Sequence, residues 1–196
     1  MTDTAAPRAT GAQPEHAEIL AATRHWLTRA VIGLNLCPFA KSVHVKGQIR
    51  YAISEATDLE GVLADLESEL RTLADADPEQ LDTTLLILPH AFADFLDYND
   101  ALHFADMLLG QLRLEGTLQI ASFHPHYRFQ DTEPDDIENY TNRAPYPILH
   151  LLREASIERA VDAFPDAADI YERNQETLRR LGRDGWRAWM AKRDED

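Results

Sequence analysis

Apolar residues recur every three or four positions in five stretches of the chain, the spacing that predicts amphipathic helices. The predicted helices lie at about 15–36, 57–76, 94–112, 148–164 and 166–189. Thr57 or Asp58 can cap the second helix, which ends before Asp77. Pro147 is suited to the first position of the fourth helix, where its missing N–H costs nothing. The pattern therefore predicts a chain that is rich in helix from about residue 15 to residue 189.

Short apolar runs between the helices predict three β-strands, at about 49–54, 83–88 and 117–123. The run 83–88 is apolar without alternation, which is typical of a strand covered on both faces. Because helices separate consecutive strands, right-handed crossovers and parallel pairing are favoured. We therefore expect an α/β fold with a small, mostly parallel three-stranded sheet flanked by helices and followed by a helical C-terminal segment.

The length of 196 residues fits one domain with a substantial core, predicted over 15–190. Residues 1–14 are small, polar and contain proline, which predicts a disordered tail without the apolar core of a secretory signal, and 191–196 form a charged C-terminal tail. No apolar run approaches the roughly 18 residues that cross a bilayer. The single cysteine, Cys37, excludes an internal disulfide framework. A soluble cytoplasmic protein is expected.

The formal charge of −15 disfavours binding to nucleic acid, yet the acidic residues are unevenly placed. None occurs between Glu18 and Glu55, nor within 116–130 or 139–153. The cations in these three acid-free segments include Arg24, Arg29, Lys41, Lys46, Arg50, Arg128, Arg143 and Arg153. If the fold brings them together, they form a positive cleft suited to a small anion. The alternative is that these cations pair with acids elsewhere.

Histidines follow two of the predicted strands. His90 follows the second strand, and His124 and His126 follow the third, spaced so that extended backbone points both to one side. Ligands of parallel α/β sheets bind outside the carboxyl ends of the strands. His124 and His126 are therefore candidate catalytic residues for proton transfer, and with His90 they are candidate ligands of a divalent zinc or iron ion. Alternatively, the imidazoles hydrogen-bond backbone and hold the loop.

Substrate binding is predicted for seven side chains near these histidines in the acid-free segments: Arg128, Arg143, Lys41, Lys46, His44, Asn142 and His150. Arg143 lies in a segment stiffened by two prolines, which would hold its guanidinium in place. The alternative for Arg143 is a clamp on the acidic loop 131–142, which is long enough to fold over a site. The alternative for His150 is a partly buried helix residue paired with Glu154.

Cys37 is the third candidate catalytic residue. It precedes Pro38 and can cap a short helical turn, where helix-end charge and Lys41 would favour the thiolate. The alternative is a small buried hydrophobe, because Leu36 and Phe39 flank the cysteine. Fast alkylation of Cys37 at neutral pH would support the thiolate, and slow alkylation would support the buried hydrophobe.

Four blocks occur in order along the chain: Leu34-Asn-Leu-Cys-Pro-Phe-Ala-Lys41, His44-Val-Lys-Gly47, His124-Pro-His-Tyr-Arg-Phe129 and Asn142-Arg-Ala-Pro-Tyr-Pro-Ile-Leu-His-Leu-Leu-Arg-Glu154. Together they resemble a bacterial family catalogued as domain of unknown function 1415. The resemblance covers about 17–189. The resemblance implies a stand-alone single domain, but it assigns no activity, cofactor or catalytic residue.

These patterns predict a small-molecule enzyme that acts on a phosphorylated or carboxylated metabolite by histidine acid–base chemistry, with a divalent metal as an option. The alternative is a non-catalytic accessory protein that binds an anionic ligand or a partner through the same residues. A third hypothesis is thiol chemistry at Cys37. We expect a small anionic ligand, and neither nucleic acid nor a membrane as partner.

Overall fold

The computed structural model describes residues 15–162 and 169–192 and has a four-stranded sheet with helices on both faces. Its strands are β1 (Ile49–Ile53), β2 (Thr83–Ile87), β3 (Leu118–Phe123) and β4 (Ile148–Arg153). Its α-helices are α1 (His16–Trp26), α2 (Ala40–Val45), α3 (Leu59–Asp75), α4 (Phe95–Gln111), α5 (Glu154–Asp162) and α6 (Ile170–Met190). A π-helical segment (Leu27–Ile32) continues α1, and a 3₁₀ turn (Ile137–Thr141) precedes β4. The predicted tail 1–14 lies outside the described residues, as do positions 193–196.

The predicted helix starts are confirmed at two polar caps. The Asp58 carboxylate accepts a hydrogen bond from the Gly61 N–H at 2.9 Å, and the Asp94 carboxylate accepts one from the Leu96 N–H at 2.8 Å. Each bond satisfies an N–H that the helix itself leaves without a partner. The start of α3 and of α4 is therefore set by local sequence.

The first predicted helix changes its winding after Trp26. In the π-helical segment each N–H reaches one residue farther back, as in the bond from the Gly33 N–H to the Thr28 carbonyl at 2.9 Å. A Cβ atom at Gly33 would lie 2.4 Å from the Arg29 carbonyl oxygen. Only glycine therefore fits where this segment ends.

The strands pair in the order β1-β2-β4-β3. β1 pairs with β2 in parallel, whereas β4 lies between β2 and β3 and is antiparallel to both. The predicted α/β class is confirmed. The predicted three-stranded, mostly parallel sheet is wrong, because the sheet has four strands and two of its three pairings are antiparallel.

The additional strand is β4, where a helix over 148–164 was predicted. Ile148 faces one side of the sheet and Leu149 and Leu151 face the other, and all three are buried. A short apolar run buried on both faces resembles a buried helix in its periodicity, which explains the error. The Pro147 carbonyl accepts a hydrogen bond from the Leu88 N–H at 2.9 Å and so extends the pairing of β4 with β2 by one residue. The helix begins only at Glu154.

The two faces of the sheet are covered unequally. Helices α3 and α4 close one face with a continuous core that includes Leu66, Leu86 and Leu151. The other face is covered by α1 and the π-helical segment, with α6 behind them, through contacts such as that of the Trp26 and Phe123 rings at 5.1 Å. A cavity remains on this second face.

Candidate functional site

A cavity of about 600 Å³ lies between the second face of the sheet, the π-helical segment, α2 and α5. We call it the apolar cavity. Its apolar lining includes Trp26, Leu27, Val31, Phe39, Val43, Ile49, Leu85, Phe123, Leu152 and Ile157. Small-molecule sites in proteins have this size and this predominance of apolar lining, with a few polar groups that fix the ligand. The polar groups of the wall therefore decide what the cavity can hold.

His150 contributes an imidazole to this wall from the centre of β4, opposite Leu85 and Ala121 of the adjoining strands. Its Nε2 atom lies 2.7 Å from the Thr83 hydroxyl, and that hydroxyl donates to the Leu151 carbonyl at 2.7 Å. Because the hydroxyl proton of Thr83 is in the bond to the Leu151 carbonyl, the His150 Nε2–H donates to the Thr83 oxygen. Nδ1 then carries the lone pair and makes no hydrogen bond to a described residue.

The protonation state of His150 follows from its burial. Burial lowers its pKa from the ordinary 6.5 to about 4, because the imidazolium would lose its hydration without gaining a counter-charge. The ring is therefore neutral at neutral pH. A neutral imidazole with a free acceptor nitrogen can accept a hydrogen bond, or a proton, from a molecule in the cavity.

Cys37 and Lys46 line the same cavity as His150, so three of the predicted site residues lie around one cavity. Burial raises the pKa of the Cys37 thiol, and the N–H groups of Phe39 and Ala40 oppose that shift only in part. The thiol is therefore protonated at neutral pH. This environment favours the small buried hydrophobe over the thiolate.

His124 and His126, the predicted catalytic pair, lie outside the lining of the apolar cavity. The His124 ring is fully buried, its Nε2 donates to the Phe92 carbonyl at 2.9 Å, and its Nδ1 accepts from the His126 N–H at 3.0 Å. Burial lowers the pKa of His124, which keeps the ring neutral. Both nitrogens therefore bind backbone and hold the turn, as the structural alternative predicted.

Replacing His124 with leucine is expected to lower the free energy of unfolding by about 2 kcal/mol, because it leaves the Phe92 carbonyl and the His126 N–H without partners. The matched variant His126→Ala removes an exposed side chain and should change it by less than about 0.5 kcal/mol. Urea unfolding of both variants measures the difference. Equal losses would contradict a holding role specific to His124.

The three histidines predicted to bind a metal do not surround one ion. His90 Nε2 lies 3.5 Å from a carboxylate oxygen of Glu55, whose other oxygen contacts His16, while His124 is bound to backbone. Within residues 15–162 and 169–192, no group of three His, Cys, Asp or Glu side chains is arranged to hold a metal ion. The predicted combination of His90, His124 and His126 therefore does not form a metal centre there.

Two predicted anion-binding residues hold the loop 131–142 instead. Arg143 donates to the carbonyls of Tyr127 at 3.3 Å and Pro134 at 2.5 Å, and its guanidinium lies 4.4 Å from the centre of the Tyr140 ring. Asn142 donates to the Ser122 carbonyl at 3.1 Å. Arg143 is thus the clamp that the alternative described, although it binds carbonyls and not the acids of the loop.

The loop itself is packed away from the apolar cavity. The buried Asn139 side chain accepts from the Phe129 N–H at 3.0 Å and donates to the Glu133 carbonyl at 2.8 Å. Tyr140 packs on Trp186 of α6 at 5.1 Å. No residue of the loop lines the apolar cavity.

The remaining cations of the acid-free segments are dispersed. Arg50 pairs with Glu69 at 2.7 Å, and Arg24 lies 5.0 Å from the centre of the Tyr51 ring. Arg128, Lys41 and His44 lie outside the lining of the apolar cavity. That lining contains Glu79 and Asp82 beside its basic residues, so these segments do not combine into one positive cleft there.

A family model described as protein of unknown function matches residues 18–188 of the 196-residue chain. The chain belongs to the DUF1415 family. The resemblance drawn from the four sequence blocks is therefore confirmed, and two of those blocks supply Cys37 and His150 to the wall of the cavity in this DUF1415 fold. Searches among curated proteins and solved structures found no match.

The described part of the DUF1415 chain contains no helix long and apolar enough to cross a membrane. The cytoplasmic location and the single domain over 15–190 stay predictions.

Proposed function

We propose that the protein binds a small, largely apolar molecule in the apolar cavity and that His150 Nδ1 accepts a hydrogen bond from a hydroxyl group of that molecule. The observation that carries this proposal is a cavity of about 600 Å³ in which apolar walls surround one neutral imidazole. Protein interiors are close-packed and seldom leave voids larger than a water molecule. A volume of this size is typical of a ligand site.

The chemistry of the wall supports a hydroxyl-bearing ligand over a fully ionised one. An isolated charge is costly among apolar side chains, whereas a hydroxyl needs only one partner. Lys46 and Arg159 also line the cavity but are exposed, whereas His150 lies on the sheet and its Nε2 is already fixed by Thr83 at 2.7 Å. The sequence predicted a small anionic ligand; this proposal keeps a small molecule without the charge, and its site moves from the histidine pair 124 and 126 to β4.

Catalysis on the bound molecule is a second candidate function. It is favoured by the presence of His150 in the lining of the cavity, which Cys37 also lines, because a neutral imidazole can accept a proton from a ligand hydroxyl. Such an enzyme would turn the molecule over, and replacement of His150 would abolish turnover while the cavity remained.

The proposal is tested with a pair of probes, 2-naphthol and 2-methoxynaphthalene, which share a ring system and differ in the hydroxyl donor. The wild-type protein is expected to bind 2-naphthol about tenfold more tightly, the value of one hydrogen bond of roughly 1.4 kcal/mol. In His150→Phe this preference should disappear, because phenylalanine has no acceptor. Isothermal titration calorimetry measures both dissociation constants.

Two variants serve as controls for the probe experiment. Ala121→Phe places a ring opposite His150 on the neighbouring strand and is expected to abolish binding of both probes. His103→Phe makes the same substitution as the test variant at an exposed position on α4 and should bind as wild type does. Binding that survives Ala121→Phe, or a hydroxyl preference that survives His150→Phe, would refute the proposal.

A further inference from the structure

A second cavity, of about 360 Å³, lies between residues 33–38 and α6. We call it the arginine cavity. Its polar lining is Asn35, Arg173, Asn174, Thr177 and Arg180. Pro38 lines both cavities, so the segment around it separates the arginine cavity from the apolar one.

The polar groups of the arginine cavity are held on a regular framework. Arg173, Thr177 and Arg180 are spaced by four and three residues on α6, which places them on one face of the helix. The buried Asn174 side chain donates to the Leu36 carbonyl at 2.8 Å and so fixes the opposite wall to this helix. Asn35, in that wall, has a left-handed backbone with φ of 54°.

The charge of this lining is opposite to that of the chain. The whole protein carries −15, yet none of the described residues that line the arginine cavity is acidic. Arg180 forms no ion pair or hydrogen bond with any residue in 15–162 or 169–192. An arginine fork presents parallel N–H donors that match the oxygens of phosphate and carboxylate.

We propose that the arginine cavity binds a small oxyanion, a phosphate or carboxylate group, through the guanidinium group of Arg180, with Arg173 adding positive charge to the same lining. The amide of Asn35 and the hydroxyl of Thr177 supply further donors in the same lining. This site is separate from the apolar cavity and takes a different class of ligand. It is therefore independent of the hydroxyl-binding role of His150.

The test is thermal unfolding of the full chain in inorganic phosphate and in acetate, compared with sodium chloride at equal ionic strength. We expect one or both oxyanions to raise the Tm in a saturable way, by about 5 °C or more at a hundredfold excess over Kd. Arg180→Gln should weaken that binding about tenfold. The response to phosphate against that to acetate identifies which group the cavity prefers.

Arg187→Gln is the control, because it removes the same charge from an exposed position of α6 that lies outside the cavity and beyond the kink at Gly182. Arg180→Lys keeps the charge and removes the fork, and it is expected to bind with intermediate affinity. It replaces Arg180→Gln if that variant fails to fold. A Tm rise no greater than in chloride, or equal weakening in Arg187→Gln, would overturn the proposal.

Discussion

Replacement of Arg153 by methionine is expected to lower the free energy of unfolding by about 4 kcal/mol. Arg153 is 8% exposed at the end of β4, and its guanidinium donates to the carbonyls of Leu73 at 2.5 Å, Ala76 at 2.7 Å and Leu81 at 3.2 Å. The first two carbonyls belong to the end of α3, where a helix leaves its last acceptors without partners and carries partial negative charge. Methionine fills similar space and supplies no donor.

Chemical denaturation followed by circular dichroism measures this loss, with the dependence on denaturant expected to stay that of wild type. Arg128→Met is the control, because Arg128 is exposed and forms no hydrogen bond or ion pair within the described residues. Arg128→Met should lower the free energy of unfolding by less than about 0.5 kcal/mol. If the two variants were equally stable, Arg153 would not be the cap of α3.

Arg153 also explains why the composition predicted a positive cleft that the fold does not build. The sequence shows that segments 116–130 and 139–153 lack acids, and a cation without nearby acids indicates an anion site. Arg153 and Arg143 instead bind backbone carbonyls, which are present in every residue. Side-chain composition cannot reveal that kind of partner.

The helices were predictable because their determinants are local. Asp58 and Asp94 cap helices whose apolar residues recur on one face, and both helices end within about one turn of the predicted position. The order of the strands was not predictable in this way. β4 lies between β2 and β3 through pairings of residues 25 to 69 positions apart in sequence, and its short apolar run fits a strand and a helix equally well.

The candidate site was predicted only in part, because distant segments of the chain form it. Cys37, Lys46 and His150 were named from sequence, and all three line one cavity, although His150 stands on a strand and not on the predicted helix. Thr83 could not be predicted as the partner of His150, because the two residues meet only through the register of β2 and β4. Cavities formed by distant segments leave no motif.

The stability of the protein is expected to fall between pH 6.5 and pH 4, and His150 should account for about 3 kcal/mol of that fall. Burial depresses the pKa of His150 in the folded state from 6.5 to about 4. Between these values the unfolded chain binds a proton that the folded chain does not. The free energy of unfolding therefore decreases as the pH falls through this window, and is unaffected by His150 above it.

His150→Phe removes the titrating group and is expected to flatten this part of the profile, whatever its effect on stability at pH 7. Urea unfolding at pH 7, 6, 5 and 4.5 gives the profile, and the quantity compared is the change between pH 7 and pH 4.5 for each protein. Burial also lowers the pKa of His124, so a smaller pH dependence of the same sign is expected to remain in the His150→Phe variant. His103→Phe, at an exposed position, should keep the wild-type slope. Identical slopes in wild type and His150→Phe would mean that burial does not lower the pKa of His150, and the assignment of this pH dependence to His150 would be wrong.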